Sequence, residues 1–305
     1  MADGAIQYLR RNAIDTGRWN QCIEHADNGL IYASAIYLDH MAGDWDALVW
    51  GDYQAVMPLP WRKKWGFHYL YQPPFTASLG VFGKQVTADL VAKFIHAIPA
   101  RFKLIELDLN YGNVLPASTG LSIVRNNYVL GLQKTYGELY NGYRDNIRRN
   151  IKKSQQLQVR YVTGIRVQEV IQLSRSQMQD ISNPSQKDYD HFEQLFQQLI
   201  QQNKALTAGV YTPDGQLVAS CVYFFSNKRA YYILVGNHPN GKTLGASHYL
   251  IDRFIHDHAG KDLVLDFEGS DIRNLAFFYS SFGAMVETYP ALRINRLPWW
   301  MKWLK

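Results

Sequence analysis

Runs rich in β-branched and aromatic residues, cut by turn formers, fill the stretch from 45 to 72. Residues 45–58 read as a strand, a Gly51-Asp52 turn and a second strand. A further strand at 67–72 stops at Pro73-Pro74. The same order returns later, with a strand at 206–211, a Pro213-Asp214-Gly215 turn, a strand at 216–225 and another at 229–236. After each meander the apolar period becomes helical and then strand-like again. Phe94-Ile95-His96 precedes the run 105–109, and Phe254-Ile255-His256 precedes the run 263–267. The offset is about 160 residues throughout, which predicts a duplicated unit.

Between the copies, Thr135 and Glu138 fit a capping box that opens a helix. Tyr140, Tyr143, Ile147 and Ile151 continue as an apolar stripe, and Arg144, Arg148, Arg149, Lys152 and Lys153 occupy the other faces. Two more helices are expected at 167–180 and 187–202, split by Asn183-Pro184. The fold class expected is α/β (α+β), with two tandem units of mixed, mostly antiparallel sheet flanked by helices. The boundary is placed so that residues 1–134 form the first unit and 135–305 the second.

Composition narrows the function. Of the 305 residues, 47% are hydrophobic and 19% charged, enough to build sizeable cores. Two cysteines, Cys22 and Cys221, are too few for a disulfide framework or a metal knuckle, and suggest a reducing compartment. The net charge of +6 is a mild attraction for anions. Arg10 and Arg11 interrupt any signal-peptide core, and no apolar run approaches the roughly 18 residues that span a bilayer. A cytoplasmic protein without integral membrane association is expected. The tail Pro298-Trp299-Trp300-Met301-Lys302-Trp303 could touch a membrane surface or cap a core.

The segment best suited to chemistry follows the strand at 229–236. There Gly241, Lys242, Thr243, Leu244, Gly245, Ala246 and Ser247 lead into an apolar-periodic helix. A strand that delivers a glycine-containing loop to a helix start aims several backbone amides at one spot, an anion site reinforced by the helix dipole. An ordinary strand–helix turn, in which the glycines serve conformation alone, fits the same residues.

Lys242-x-x-Gly245-x-Ser247 resembles the pyrophosphate loop, Gln/Arg-x-x-Gly-x-Gly/Ala, of the GNAT (GCN-five-related N-acetyltransferase) superfamily. Asp266-Phe267-Glu268-Gly269-Ser270, followed by Asn274, Ala276, Tyr279 and Phe282-Gly283-Ala284, resembles that family's later region. The resemblance implies an acyl-CoA donor held at residues 241–247 with Asn274. It also implies that Tyr279 protonates the leaving thiolate, although Phe277, Phe278, Tyr279 and Phe282 also suit a core-facing stripe. The whole chain is similar to the Fem peptidyltransferases, tandem GNAT-fold proteins that add amino acids to peptidoglycan precursors. That likeness rests on Asn146-Ile147-Arg148-Arg149-Asn150-Ile151-Lys152-Lys153 and on the stretch from Leu265 to Ala284. It implies aminoacyl-tRNA as an alternative donor.

Within this frame, aminolysis of a thioester needs a base, and Glu268, at a strand end beside Asp266 and Asp271, is the candidate. Asp266 alternates toward the other face and suits bonds to backbone amides instead. The histidines show no zinc-ligand spacing, so no metal is expected. No nucleophile elbow and no activated cysteine is present, which favours direct transfer to a small-molecule or peptide amine. A non-catalytic binding module of the same fold is the competing reading. In the first copy, Pro73 and Pro74 stand where amides would be needed. That unit is expected to be structural or to form a wall of the acceptor site.

Overall fold

The computed structural model describes residues 4–115, 122–177, 184–269 and 271–299. Along the chain they form β1 (Ile6–Arg10), α1 (Thr16–His25), α2 (Ala35–Met41), β2 (Asp44–Trp50), β3 (Ala55–Lys64), β4 (Phe67–Leu70), β5 (Phe82–Gly83), α3 (Ala88–Ala97) and β6 (Phe102–Asp108). Next come β7 (Ser122–Gly131), α4 (Tyr136–Asn141), α5 (Asp145–Gln156), β8 (Arg160–Thr163), α6 (Val167–Gln177) and α7 (Gln186–Gln201). The remainder is β9 (Ala205–Tyr211), β10 (Leu217–Ser226), β11 (Arg229–Asn237), α8 (Pro239–Leu244), α9 (Ala246–His258), β12 (Val264–Asp266), α10 (Arg273–Ser280) and β13 (Met285–Asn295).

Two compact units emerge, Met1–Arg125 with Thr288–Lys305, and Asn126–Glu287. In the first the strand order is β1-β2-β3-β4-β6-β13, antiparallel except for the parallel pair β4/β6. In the second it is β8-β9-β10-β11-β12-β7, antiparallel except for the parallel pair β11/β12. The two sheets are built alike, in order and in sense, as the repeat predicts.

The closing strands are exchanged between the copies. β7 follows β6 in the chain yet pairs with β12, and β13 follows β12 yet pairs with β6 from Ala291↔Asp108 to Asn295↔Leu104. The first unit is therefore discontinuous. Its boundaries fall inside β7 and β13, whereas the sequence reading places one break at 134/135 and gives the C-terminal strand to the second unit.

In the second unit β10 is buried continuously from Val218 to Phe224, because helices cover both of its faces. On one side α9 supplies Leu250, Ile251, Phe254 and Ile255, each 0% exposed, and Phe254 stacks on Tyr223 with ring centroids 3.8 Å apart. Each such side chain is worth about 1.5–3 kcal/mol of burial. The Thr135–Glu138 capping box is present. The stripe that follows is divided between α4 and α5 at Gly142, whose N–H bonds back to Leu139 O at 3.0 Å. Ile147 and Ile151 still face the core, leaving the cationic face of α5 in solvent. Trp300 to Lys305, including most of the aromatic tail, lie outside the described residues, as does Ser270.

Candidate functional site

The parallel ladder between β11 and β12 runs from Arg229↔Val264 to Tyr231↔Asp266 and stops, while β11 continues to Asn237. Beyond Tyr231, among the described residues, no strand lies along that edge of β11. The divergence has a local cause. One Asp266 carboxylate oxygen accepts the Glu268 N–H at 2.8 Å, and Asn127 Oδ1 accepts the Gly269 N–H at 2.5 Å. Glu268 (φ 61°) and Gly269 (φ 76°) are both left-handed, so the chain turns sharply away. The bond from Asp266 to a backbone amide is the structural part its alternation predicts.

Beneath this turn lies a buried ion network with no obvious signature in the sequence. Arg229 Nη1 donates to Asp266 Oδ2 at 2.6 Å and to Glu287 Oε2 at 2.9 Å, and Nη2 donates to Glu287 Oε1 at 2.9 Å. Asn127 Nδ2 donates to Asp266 Oδ1, the oxygen that also accepts the Glu268 N–H, at 2.9 Å. Burial opposes the guanidinium charge, yet the bonds to Glu287 and the charge of Asp266 outweigh it and raise the Arg229 pKa. The network pins the end of β12 where the two strands part.

The first unit shows the same parallel pair with its gap closed. Gln72 Oε1 accepts the Asp108 N–H at 3.0 Å, Leu79 N–H donates to Asp108 O at 2.7 Å, and Asn110 N–H donates to Leu79 O at 2.7 Å. Asn28, Asn110 and Asn113 each donate a side-chain amide to Val81 O, fixing the returning loop. The end of β6 is thus bonded by the chain itself.

Residues 239–244 are helical (α8), not an open loop, and the glycines face the protein. A Cβ on Gly241 would lie 2.3 Å from Val218 O; one on Gly245 would lie 2.7 Å from Asn150 O and 3.1 Å from Ser154 Oγ. Gly241 N–H donates to His238 O at 2.8 Å, and Ala246 is fully buried. Thr243 is exposed, Leu244 is partly buried with its carbonyl accepting Ser154 Oγ at 2.6 Å, and the Ser247 hydroxyl donates to Asn237 Oδ1 at 2.5 Å. The Lys242 side chain lies outside what the structure describes. At the start of α9 Gly245 (φ 71°) is the N-cap and makes no side-chain cap bond, and both it and Ala246 are buried.

Tyr279 is 8% exposed and its ring stacks on Phe267 at 4.6 Å. Burial, with the Glu268 carboxylate adding to it, holds the phenol above its ordinary pKa. Asn274 is exposed on the first turn of α10. His248, which belongs to no motif legible in the sequence, joins the two helices. One turn into α9, it packs edge-on against Phe278 at 4.9 Å, and burial pushes its pKa down to about 4. Among the described residues no group of three or more His, Cys, Asp or Glu stands together to hold a metal ion, and no helix is long and apolar enough to cross a membrane.

Residues 141–272, all within the second unit, match the family model of an acetyltransferase (GNAT) domain. Among solved structures the chain is similar to FemX, with a TM-score of 0.67 at 11% identity, covering 93% of this chain and 96% of that one. It is similar to the C-terminal domain (DUF2156) assigned to a lysylphosphatidylglycerol synthetase from Agrobacterium fabrum, with a TM-score of 0.57 at 12% identity over 94% and 93%. L-PGS from Bacillus licheniformis gives a TM-score of 0.51 at 11% identity over 86% and 88%. No curated protein matches in sequence. At these identities the structures speak for the fold, and the family model speaks for the chemistry of the second unit. Residues 141–272 of the second unit thus resemble an acetyltransferase (GNAT) domain, and the chain shares the fold of FemX over nearly its whole length.

Proposed function

We propose that the second unit moves an acyl group directly from an acyl-CoA-type donor to an amine, with the donor arm lying along the open edge of β11. One observation carries this reading. The parallel strands part after Tyr231 and Asp266 and leave β11 beyond Tyr231 without a paired strand on that side among the described residues, an edge that could bond an extended arm, whereas in the first unit the end of β6 is bonded by Gln72 and by Leu79 of its own loop. The uncapped start of α9 offers positive potential for the donor's phosphates.

In the transfer, the amine nitrogen attacks the thioester carbonyl. An amide bond forms, the carbon–sulfur bond breaks and the sulfur leaves as thiolate. Glu268, in a left-handed conformation at the strand end, takes the proton released by the amine, directly or through water. Tyr279 supplies a proton to the thiolate and regains one from solvent. No covalent enzyme intermediate is required.

Titration calorimetry of the intact protein with coenzyme A and acetyl-CoA is expected to show saturable binding. Glu268→Gln should retain it while lowering kcat with an amine acceptor by about 10²–10⁴-fold. Failure to bind either compound would sink the donor assignment. The likeness to FemX carries a second reading, aminoacyl transfer from aminoacyl-tRNA. Transfer from a charged tRNA with no coenzyme A binding would favour it.

A further inference from the structure

His248 is the polar member of an aromatic group at the mouth of the parted strands. Its neighbour Ser247 is bonded to Asn237 at the end of β11, which fixes the first turn of α9 on that side. Across the split, Phe267 directly follows β12, and Tyr279 of α10 stacks on it. The His248 ring meets the residue before Tyr279, Phe278, edge-on at 4.9 Å and lies 6.5 Å from Phe282. It therefore reaches from the helix anchored to β11 to the helix that follows β12. Packing alone asks here for a ring and nothing more. A histidine adds a hydrogen-bonding edge, and such an edge left unpaired away from water costs free energy. Elsewhere His25, His40, His96 and His258 turn Nδ1 onto the carbonyl four residues earlier in their helices, at 2.8–2.9 Å. The carbonyl in that position for His248 belongs to Leu244 and is engaged by the Ser154 hydroxyl at 2.6 Å. Among the described residues no partner meets either ring nitrogen of His248. The ring is half-buried, so it is not closed to a ligand, and burial pushes its pKa down to about 4, which leaves it neutral with one N–H at pH 7.

We propose that His248 is a further catalytic residue of the transfer, donating its ring N–H to the carbonyl oxygen of the acyl donor. This role rests on the acyl-transfer reading, whatever the carrier, because thioester and ester carbonyls gain the same charge. As the amine nitrogen attacks, the carbonyl oxygen takes up negative charge. When the bond to the carrier breaks, that charge returns to remake the carbonyl, and the imidazole keeps its proton throughout. A donor already in place, in a site partly closed to water, is worth most when that charge is greatest. A neutral imidazole suits the part, since it donates without first gaining or losing a proton.

His248→Phe and His248→Gln separate this role from packing. Phenylalanine keeps a ring against Phe278 without the N–H. Glutamine gives up the ring but carries an amide N–H at about the reach of the imidazole Nε2. In transfer from acetyl-CoA to trialanine or spermidine, His248→Phe should lower kcat about 10²–10³-fold. The Kd for coenzyme A by calorimetry and the thermal melt should stay near those of the unaltered protein. His248→Gln should turn over about tenfold faster than His248→Phe, despite packing less well. A kcat in His248→Phe within about threefold of the unaltered protein overturns the proposal, as does His248→Gln no faster than His248→Phe. If coenzyme A does not bind and charged tRNA donates instead, the same pair is read on that donor. The same loss in His248→Phe then upholds His248 while the coenzyme A reading falls, and no loss removes both. Absence of transfer from either donor overturns the role of His248 as well.

Discussion

Arg229→Met is the sharpest test of how the candidate site is held. The Arg229 side chain is 9% exposed, Asp266 5% and Glu287 20%, so the cation and its two carboxylates sit largely out of water. Methionine fills most of the volume of the arginine stem but removes three charge-assisted bonds and leaves two carboxylates facing each other without a cation. Breaking a buried pair from one side typically costs about 3–5 kcal/mol, a large share of the 5–15 kcal/mol that hold a domain together. The assay can separate the units, because all eight tryptophans lie outside residues 126–287. Urea unfolding followed by tryptophan fluorescence reports the first unit, and far-ultraviolet circular dichroism reports both. The variant should move a large part of the dichroism transition to lower urea while the fluorescence transition stays near that of the unaltered protein. Combining Arg229→Met with Asp266→Asn and Glu287→Leu should recover most of the loss, since apolar or neutral neighbours no longer strand a charge. A cost below about 1 kcal/mol for Arg229→Met, or no recovery in the triple variant, would refute the buried-network argument.

Other expectations follow from the same geometry. Gly245→Ala should destabilise the second unit by roughly 2–4 kcal/mol in urea, because a left-handed residue gains a Cβ lying 2.7 Å from Asn150 O. Glu268→Gly should do the opposite, raising stability by about 0.5–1 kcal/mol as its left-handed strain is relieved, while acyl transfer is lost; retained transfer would remove Glu268 from the chemistry. The lowered pKa of His248 means that the unfolded chain binds its proton first. Stability linked to this residue is then complete above the unfolded value near 6.5 and drains away as pH falls toward about 4. Urea midpoints of His248→Gln should accordingly be less sensitive to pH across that window. Ending the chain after Glu287 should shift tryptophan-detected unfolding to lower urea, because β6 loses β13.

Much of the fold was legible because its punctuation is local. Gly51-Asp52 and Pro213-Asp214-Gly215 stand between strands, and the capping residues Thr135 and Glu138 open α4 where expected. The strand exchange was not, because the pattern Met285–Asn295 carries no mark saying whether β6 or β12 is its partner. The glycines at 241 and 245 were legible as positions intolerant of a side chain. What fills their space, Val218 O on β10 and Asn150 on α5, comes from segments remote in the chain. Arg229 follows directly on the Asn227-Lys228 turn, where an arginine reads as surface. Only the convergence of Asp266 and Glu287 from two other strands makes it interior. The left-handed backbone of Glu268 has no signature in sequence.

The exchanged strand also governs the order of events at the ribosome. Asp108 emerges early, but its partner Ala291 is made 183 residues later. At about 5–20 residues per second the first copy waits roughly 10–40 s with the β6 edge unpaired. An open edge of this kind is a template for stray pairing. Interruptions of translation between the two strands should therefore release a nascent chain unusually dependent on holdase chaperones, however stable the finished protein is.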